Sequence, residues 1–491
     1  MHTFSKKLAA MLLATAVGAA ALPAAAQTTH AITPLSAQEI QQAVSELNQL
    51  RIMQGYPNSS MGIHQAITRA ELAKLIVRTF DLEGQTKNPP SFADVKPDAW
   101  YYAYAAEVAA HDIIPAKDGR FHPNAAVTST DFAQIVSKAL KRDLKSVQYW
   151  MERISGNGSL SRGEAAYILA IAHQAIPSSE AKITDIRALN EITLIVTFDA
   201  PLTAEDEAFA KAKEDFVFSD GLTLTNMPRL KTGSISTYIV PTSTQKPGTI
   251  YTLTYKGTET GTFAGQATKL DMTEARQVTN DTFEIESLKS AGVIDYGYII
   301  SAYSAGRGAN AFVLDDNDTA DGKLYQIISS MQARQVTITP ENGQPIVAKY
   351  VPFTQSTDGK QEPKFRLPEG QVLIPGVSYT VSSDWADIAQ PNFVAQDIEA
   401  LELKAAEAIS DTSIAVTLTA DPGDELFSGR SVELTNAEGE KWVATYKFSS
   451  RKGATGVFDI QQNGKLKAGT TYSVTPIGEW AEKSPITLSV Q

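Results

Sequence analysis

Ala66-Ile67-Thr68-Arg69-Ala70-Glu71-Leu72 is the stretch on which the reading of this chain turns. Thr68 and Glu71 have the spacing of a capping box, in which each side chain satisfies a free backbone donor at a helix N-terminus. Leu72, Leu75, Ile76 and Phe80 follow with the 3.6-residue period of a helix that buries one face. Arg69 stands in the first turn, where the macrodipole already presents partial positive charge. A cation there costs stability unless it meets an anion, and an arginine at a helix N-terminus adds a bidentate donor fork to a ready anion site. Two readings stay open: a pocket for a carboxylate or phosphate, or a plain capping box with a solvated arginine. Spacing alone favours the second, because such tetrads are common.

Context shifts the balance. Thr128-Ser129-Thr130-Asp131 and Ser161-Arg162-Gly163-Glu164 are related tetrads, each ahead of an apolar helical run. Ser91-Phe92-Ala93-Asp94-Val95, Trp100 and Asp118-Gly119-Arg120-Phe121-His122-Pro123-Asn124 precede the second tetrad in that order. A Phe-x-Asp-Val opening, a tryptophan, a Gly-x-Phe-x-Pro-Asn turn and a Thr-Arg-Ala-Glu helix start resemble the S-layer homology family. The resemblance covers about residues 36–176. Copy two is the most complete along its length. Copy one has the clearest tetrad, with Gly55-Tyr56-Pro57 before it, and lacks the opening. Copy three is short, with Trp150 and Gly156-Asn157-Gly158 upstream.

The resemblance implies a pseudo-threefold helical bundle with ligand grooves between repeats. It implies a secondary cell wall polymer as ligand, an anionic glycan often bearing pyruvylated amino sugar, whose carboxylate meets the tetrad arginine. Carried over by motif position, Arg69 and Arg162 are the contact residues, with Thr68, Glu71, Ser161 and Glu164 shaping the pockets. Ser129 stands at the arginine position of copy two and alters that groove. Gly163 replaces a small alanine and is expected to loosen its helix start by up to about 1 kcal/mol. Trp100 is read as a core anchor or a sugar platform; tryptophan serves as both.

Lys6 and Lys7, the apolar run from Leu8 to Leu22, and Pro23-Ala24-Ala25-Ala26 have the form of a secretory leader spanning 1–26. No later stretch is apolar enough to span a bilayer, so the expectation is no transmembrane segment once the leader is removed. The absence of cysteine among 491 residues suits a modular surface protein, held by apolar cores, of a Gram-positive bacterium. A net charge of -12 argues against nucleic acid as a partner. Local arginines can still hold an anionic glycan.

From about Ile183 the helical period gives way to alternation and β-branched residues, as in Ile192-Thr193-Leu194-Ile195-Val196-Thr197-Phe198. Three internal copies follow: Pro247-Gly248-Thr249-Ile250-Tyr251, Pro375-Gly376-Val377-Ser378-Tyr379 and Ala468-Gly469-Thr470-Thr471-Tyr472, each entering a strand. The spacing predicts β-sandwiches with the tyrosine at a corner. They resemble bacterial immunoglobulin-like domains. The expected division is an S-layer homology module at 36–180 (repeats about 36–85, 86–145 and 146–180), then sandwiches at 181–271, 272–397 and 398–491. The acidic run Asp315–Gly322 suggests calcium on Asp316, Asp318 and Asp321, though it lacks EF-hand spacing. A solvated acidic loop is the rival reading.

No histidine lies after His173, so no Ser-His-Asp triad can form within the sandwiches. There is no His-Glu-x-x-His or Gly-x-Ser-x-Gly run, and no thiolate zinc site without cysteine. The expected function is therefore structural, not enzymatic. It is a secreted S-layer or S-layer-like protein, anchored non-covalently to the wall polymer and self-associating into a lattice. A glycan-binding adhesin that does not tile is the alternative.

Overall fold

In the computed structural model, residues 33–154, 158–285, 292–297, 299–300, 313–320, 322–352, 362–422 and 426–491 are described. The leader-like segment 1–26 lies outside them. Six helices form the N-terminal region: α1 (Ala37–Gln49), α2 (Arg69–Thr79), α3 (Tyr102–Ala110), α4 (Ser129–Leu140), α5 (Leu144–Met151) and α6 (Arg162–Gln174). Each repeat contributes two. The tetrad helix of each repeat packs on the leading helix of the next: α2 on α3, α4 on α5, and α6 back on α1. One apolar core running from Ala43 to Ala175 fills the ring.

The ring is closed by backbone. The residue before each N-cap donates to its counterpart in another repeat: Ile67 N to Leu160 O at 2.9 Å, Leu160 N to Val127 O at 2.8 Å, and Val127 N to Ile67 O at 3.0 Å. All three side chains are buried. Three extended straps thus satisfy one another around a pseudo-threefold axis, where an isolated strap would leave buried amides unpaired. Repeat one also has an opening helix that its sequence motif does not announce. Ser36 and Glu39 form a reciprocal capping box for α1. The hydrogen bonds of Arg153 to Glu39, at 2.7 and 3.0 Å, tie repeat three to it.

The remainder is β-rich, with sandwich- and barrel-like sheets. In the first unit a four-stranded sheet runs in the order Ile183–Asn190, Thr193–Phe198, Thr237–Pro241, Arg229–Leu230. It shares a core with a three-stranded sheet of Phe216–Phe218, Ile250–Tyr255 and Thr258–Ala264. Strand Thr193–Phe198 is buried nearly throughout. Leu194 and Val196 face the unit's own core, while Ile195 and Ile239 of the neighbouring strand pack with Ile294, Leu314 and Ile327 of a segment inserted in the middle unit. The run that reads as half-buried alternation is therefore covered on both faces, as continuous apolar strands generally are.

The middle unit is an eight-stranded sheet in which Ala386–Gln390 pairs in parallel with Leu270–Gln277. The last has seven strands, from Leu403–Ser410 at one edge to Ile486–Ser489 at the other. A parallel bridge between Leu401 and Ala481 draws its two ends together. The repeated Gly-x-x-Tyr has one geometry in all three units. Gly248, Gly376 and Gly469 take φ of 73°, 79° and 75°, a left-handed turn that glycine adopts without strain. Three residues on, the buried hydroxyls of Tyr251, Tyr379 and Tyr472 accept from the backbone N–H of Lys246, Ile374 and Lys467 at 2.8, 2.9 and 2.9 Å. The expected corner tyrosines are present.

The units also join. Trp150 Nε1 donates to Gly233 O at 2.7 Å, and Gly233 N donates to Ser146 Oγ at 2.9 Å, which docks repeat three on a loop of the first β unit. Arg142 adds a bond to Ser234 O. Between the middle and last units, Arg430 holds Asp281 with both terminal nitrogens at 2.6 and 2.7 Å.

Candidate functional site

The three tetrads open helices α2, α4 and α6 as read from sequence. Thr68 N donates to Glu71 Oε2 at 2.9 Å and Glu71 N to Thr68 Oγ1 at 3.3 Å. Ser161 and Glu164 repeat the exchange at 2.8 and 3.2 Å. Thr128 caps α4 with Asp131.

The helix starts nevertheless differ from open anion sites. Arg69 N and Ala70 N donate to Ala125 O and Pro123 O of the next repeat, at 2.9 and 3.0 Å. Arg162 N and Gly163 N donate to Gln65 O and Ile63 O, at 2.8 and 2.9 Å. With the third amide taken by the cap hydroxyl, the leading donors of both helices are spent on protein. Any anion recognition at these tetrads therefore falls to side chains. Gly163 belongs to this closure. A Cβ there would meet Ile63 O at 2.9 Å and Ile40 Cγ2 at 2.7 Å, so the glycine admits the neighbouring chain rather than loosening the helix start.

The arginines themselves are clasped alike. Arg69 donates from Nε to Phe121 O at 2.7 Å and from Nη2 to Pro115 O at 3.0 Å, and lies 5.0 Å over the Phe121 ring. Arg162 donates from Nε to Met61 O at 3.0 Å and from Nη2 to Gln54 O at 2.7 Å, 4.9 Å over Tyr56. The turns they hold are equivalent. In copy two the Phe-x-Asp aspartate supports that turn: Asp94 accepts from Phe121 N and His122 N, both at 2.8 Å. Burial raises the Asp94 pKa, but these hydrogen bonds outweigh it and hold the carboxyl below its ordinary value.

Surroundings separate the two. Arg162 is only 6 % exposed and has Glu71 at 3.6 Å, whose other contacts include the Tyr56 hydroxyl at 2.6 Å. Arg69 is half-buried, and among the described residues no carboxylate lies within ion-pair distance. Burial lowers its pKa, opposed by the fields of Asp131 and Asp94. At Ser129 the strap bond is kept, N to Gly158 O at 3.2 Å, without a guanidinium. Gly156 and Asn157 of the copy-three turn lie outside the described residues.

The S-layer homology domain profile matches residues 34–73 and 91–133. The chain carries S-layer homology domains. The middle cell wall protein of Brevibacillus brevis is 27% identical over 290 residues, covering 53% of this chain and 27% of that one. The surface layer protein of Brevibacillus choshinensis is 28% identical over 165 residues, covering 32% and 15%. The chain thus spans about a quarter or less of the length of the curated relatives it matches. Among solved structures, domains 1–6 of surface layer protein SbsC align with 92% of this chain and 73% of theirs, at 12% identity and a TM-score of 0.15.

Within the S-layer homology module, Trp100 is not a core residue. It is 59 % exposed, edge-on to Tyr101. Lys74 Nζ lies 6.0 Å from its ring centre, a neighbour that sequence reading passed over. Lys74 is six residues past the cap on the polar face of α2, and that position was the available signal. In the acidic loop, Asp318 is buried and paired with Lys231 at 2.5 Å, and Asp315 accepts from Asn317 N and Thr319 N. Asp321 lies outside the described residues, and among those described no three acidic or histidine side chains converge as a metal site. Among the described residues no helix is long and apolar enough to cross a membrane.

Proposed function

We propose that this protein is a secreted, cell-wall-attached surface-layer protein. Its S-layer homology module grips an anionic wall polymer in the grooves between repeats, and its β units extend outward to make lattice contacts. The observation that carries the reading is Arg69, a half-buried guanidinium clasped by two carbonyls of the next repeat, with no protein carboxylate within ion-pair distance among the described residues. A charge so placed, with donors to spare, favours an external carboxylate such as that of a pyruvylated sugar.

The test is co-sedimentation of the full chain with wall sacculi, before and after removal of the polymer. Arg69→Ala is expected to weaken binding by about 1.5–3 kcal/mol, the range for a hydrogen bond to a charged group. The thermal transition is measured in parallel, since the clasp on Phe121 and Pro115 is lost as well. Unchanged affinity in a folded variant would reject the role. The lattice is tested separately by electron microscopy of the full chain for ordered sheets, with and without calcium.

A further inference from the structure

The junction between the middle and last β units holds more positive charge than it neutralises. Two guanidiniums meet there: Arg366 ends the strand Lys364–Arg366, and Arg430 immediately precedes the strand Ser431–Asn436. One buried carboxylate, Asp281, lies near both, and Arg430 takes its two oxygens. Arg366 is left with neutral acceptors. Its Nε donates to Thr282 Oγ1 at 3.3 Å and its Nη1 to Ser428 O at 2.8 Å. Its Nη2 is buried and has no hydrogen-bond partner among the described residues. Burial pushes the Arg366 pKa down to about 9, the Arg430 cation adds to the fall, and Asp281 opposes it. A charged donor that has lost water and gained no acceptor is costly, and an anion supplied from outside relieves it.

Both arginines line a cleft of about 160 Å³. A single water needs only about 10–15 Å³ of such space, so the cleft admits a polyatomic ion. Its walls come from both units: Asp281, Arg366 and Glu369 from the middle one, Gly429, Arg430 and Glu479 from the last. Gly429, with φ of 70°, brings no side chain to the cleft, and a Cβ there would lie 3.2 Å from Arg366 Nη1. The glycine thus lets the guanidinium of one unit come up against the backbone of the other. The two remaining acids do not neutralise the pair. Glu479 is matched by Lys483 at 2.6 Å, and Glu369 is exposed, where solvent screens it.

We propose that this cleft is an anion site that clamps the middle and last β units, in which a small oxyanion of the carboxylate or phosphate type is received by Arg366 Nη2 and by the second N–H of Arg430 Nη1. Guanidinium donors in a planar fork match paired oxygens, and Asp281 already shows Arg430 engaged in that way. With ligands from both units, the ion completes the charge balance and stiffens the junction. The site is independent of wall binding by the helical module.

The test is calorimetric titration of the full chain with sodium acetate and, separately, sodium phosphate, at an ionic strength held constant with chloride. Saturable binding of at least one ion is expected, and the tighter of the two identifies the head group. The β transition should then rise with the concentration of that ion. Arg366→Gln should raise the dissociation constant at least about tenfold and abolish the rise. Because this variant also loses the bond to Ser428 O, its melting is compared with and without the ion. Glu369→Gln removes a like charge from the mouth and should tighten binding about two- to threefold. Saturation by neither ion, an unchanged constant in a folded Arg366→Gln, or weaker binding in Glu369→Gln overturns the site. Should Arg366→Gln fail to fold, the direction of the Glu369→Gln change decides.

Discussion

The helical module and the β region are both built from three copies, and they are held together in opposite ways. In the module the copies share backbone. Ile67, Val127 and Leu160 each complete another's hydrogen bonding, so no repeat is whole without the other two. In the β region each copy closes on itself through its own glycine turn and corner tyrosine, and side chains such as Arg430 and Asp281 join one unit to the next. Shared backbone ties the fate of the three repeats to one another. Side-chain locks make the junctions sensitive to single substitutions, and each unit has a core of its own beside the apolar cluster that the first and middle units share around Ile195.

The sharpest way to break this contrast is at the lock. Asp281→Ala leaves Arg430 buried and without its bidentate partner, and should destabilise the middle–last junction by about 3–5 kcal/mol. Calorimetry of the full chain should show a β transition moving down while the helical signal at 222 nm melts where it did. A uniform shift of both would show the two regions to be one cooperative block.

In the module the corresponding probe is Gly163→Ala. Helix propensity says the change should stabilise, yet the added methyl meets Ile63 O and Ile40. Overpacking of this kind costs about 1–3 kcal/mol, and because the straps are shared the whole helical transition should fall together. A gain in melting temperature would mean that the inter-repeat contact yields easily.

Acid supplies a graded comparison. The hydrogen bonds of Arg153 hold the Glu39 carboxyl down to about 2 from an ordinary 4.5. Burial raises the Asp281 pKa, but Arg430 holds it at about 2 from an ordinary 3.8. Both folded values are depressed, so the stability they lend is complete above the ordinary values and is lost as pH falls toward 2. The gap between wild type and Asp281→Ala, followed by thermal melts, should therefore narrow from pH 5 to pH 2. The smallest effect belongs to a corner. Tyr472→Phe removes the acceptor of Lys467 N–H and should cost about 0.5–1.5 kcal/mol in the last unit alone.

Much of this was legible in sequence because it is local. A capping box spans four residues, and a glycine turn with its tyrosine spans five or six, so the Thr68, Ser161 and Gly-x-x-Tyr readings needed only neighbours in the chain. What sequence could not supply was the choice of distant partner. That Arg162 would be sealed beside Glu71 while Arg69 stays half-open depends on which turn each meets across the ring. The exposure of Trp100 depends on how α3 lies against α2. Ile195 looks like an outward residue of an alternating strand until the inserted segment with Ile294 and Ile327 covers it.

The docking of Trp150 and Ser146 onto Gly233 bears on mechanics. The last helix pair of the ring is bolted to the first sheet unit through an indole, a hydroxyl and Arg142, all on one short loop. A tug at that sheet unit consequently arrives at the ring as torque about that loop rather than as slack taken up by a tether. Force applied to the β units would load α5 before it loads the straps.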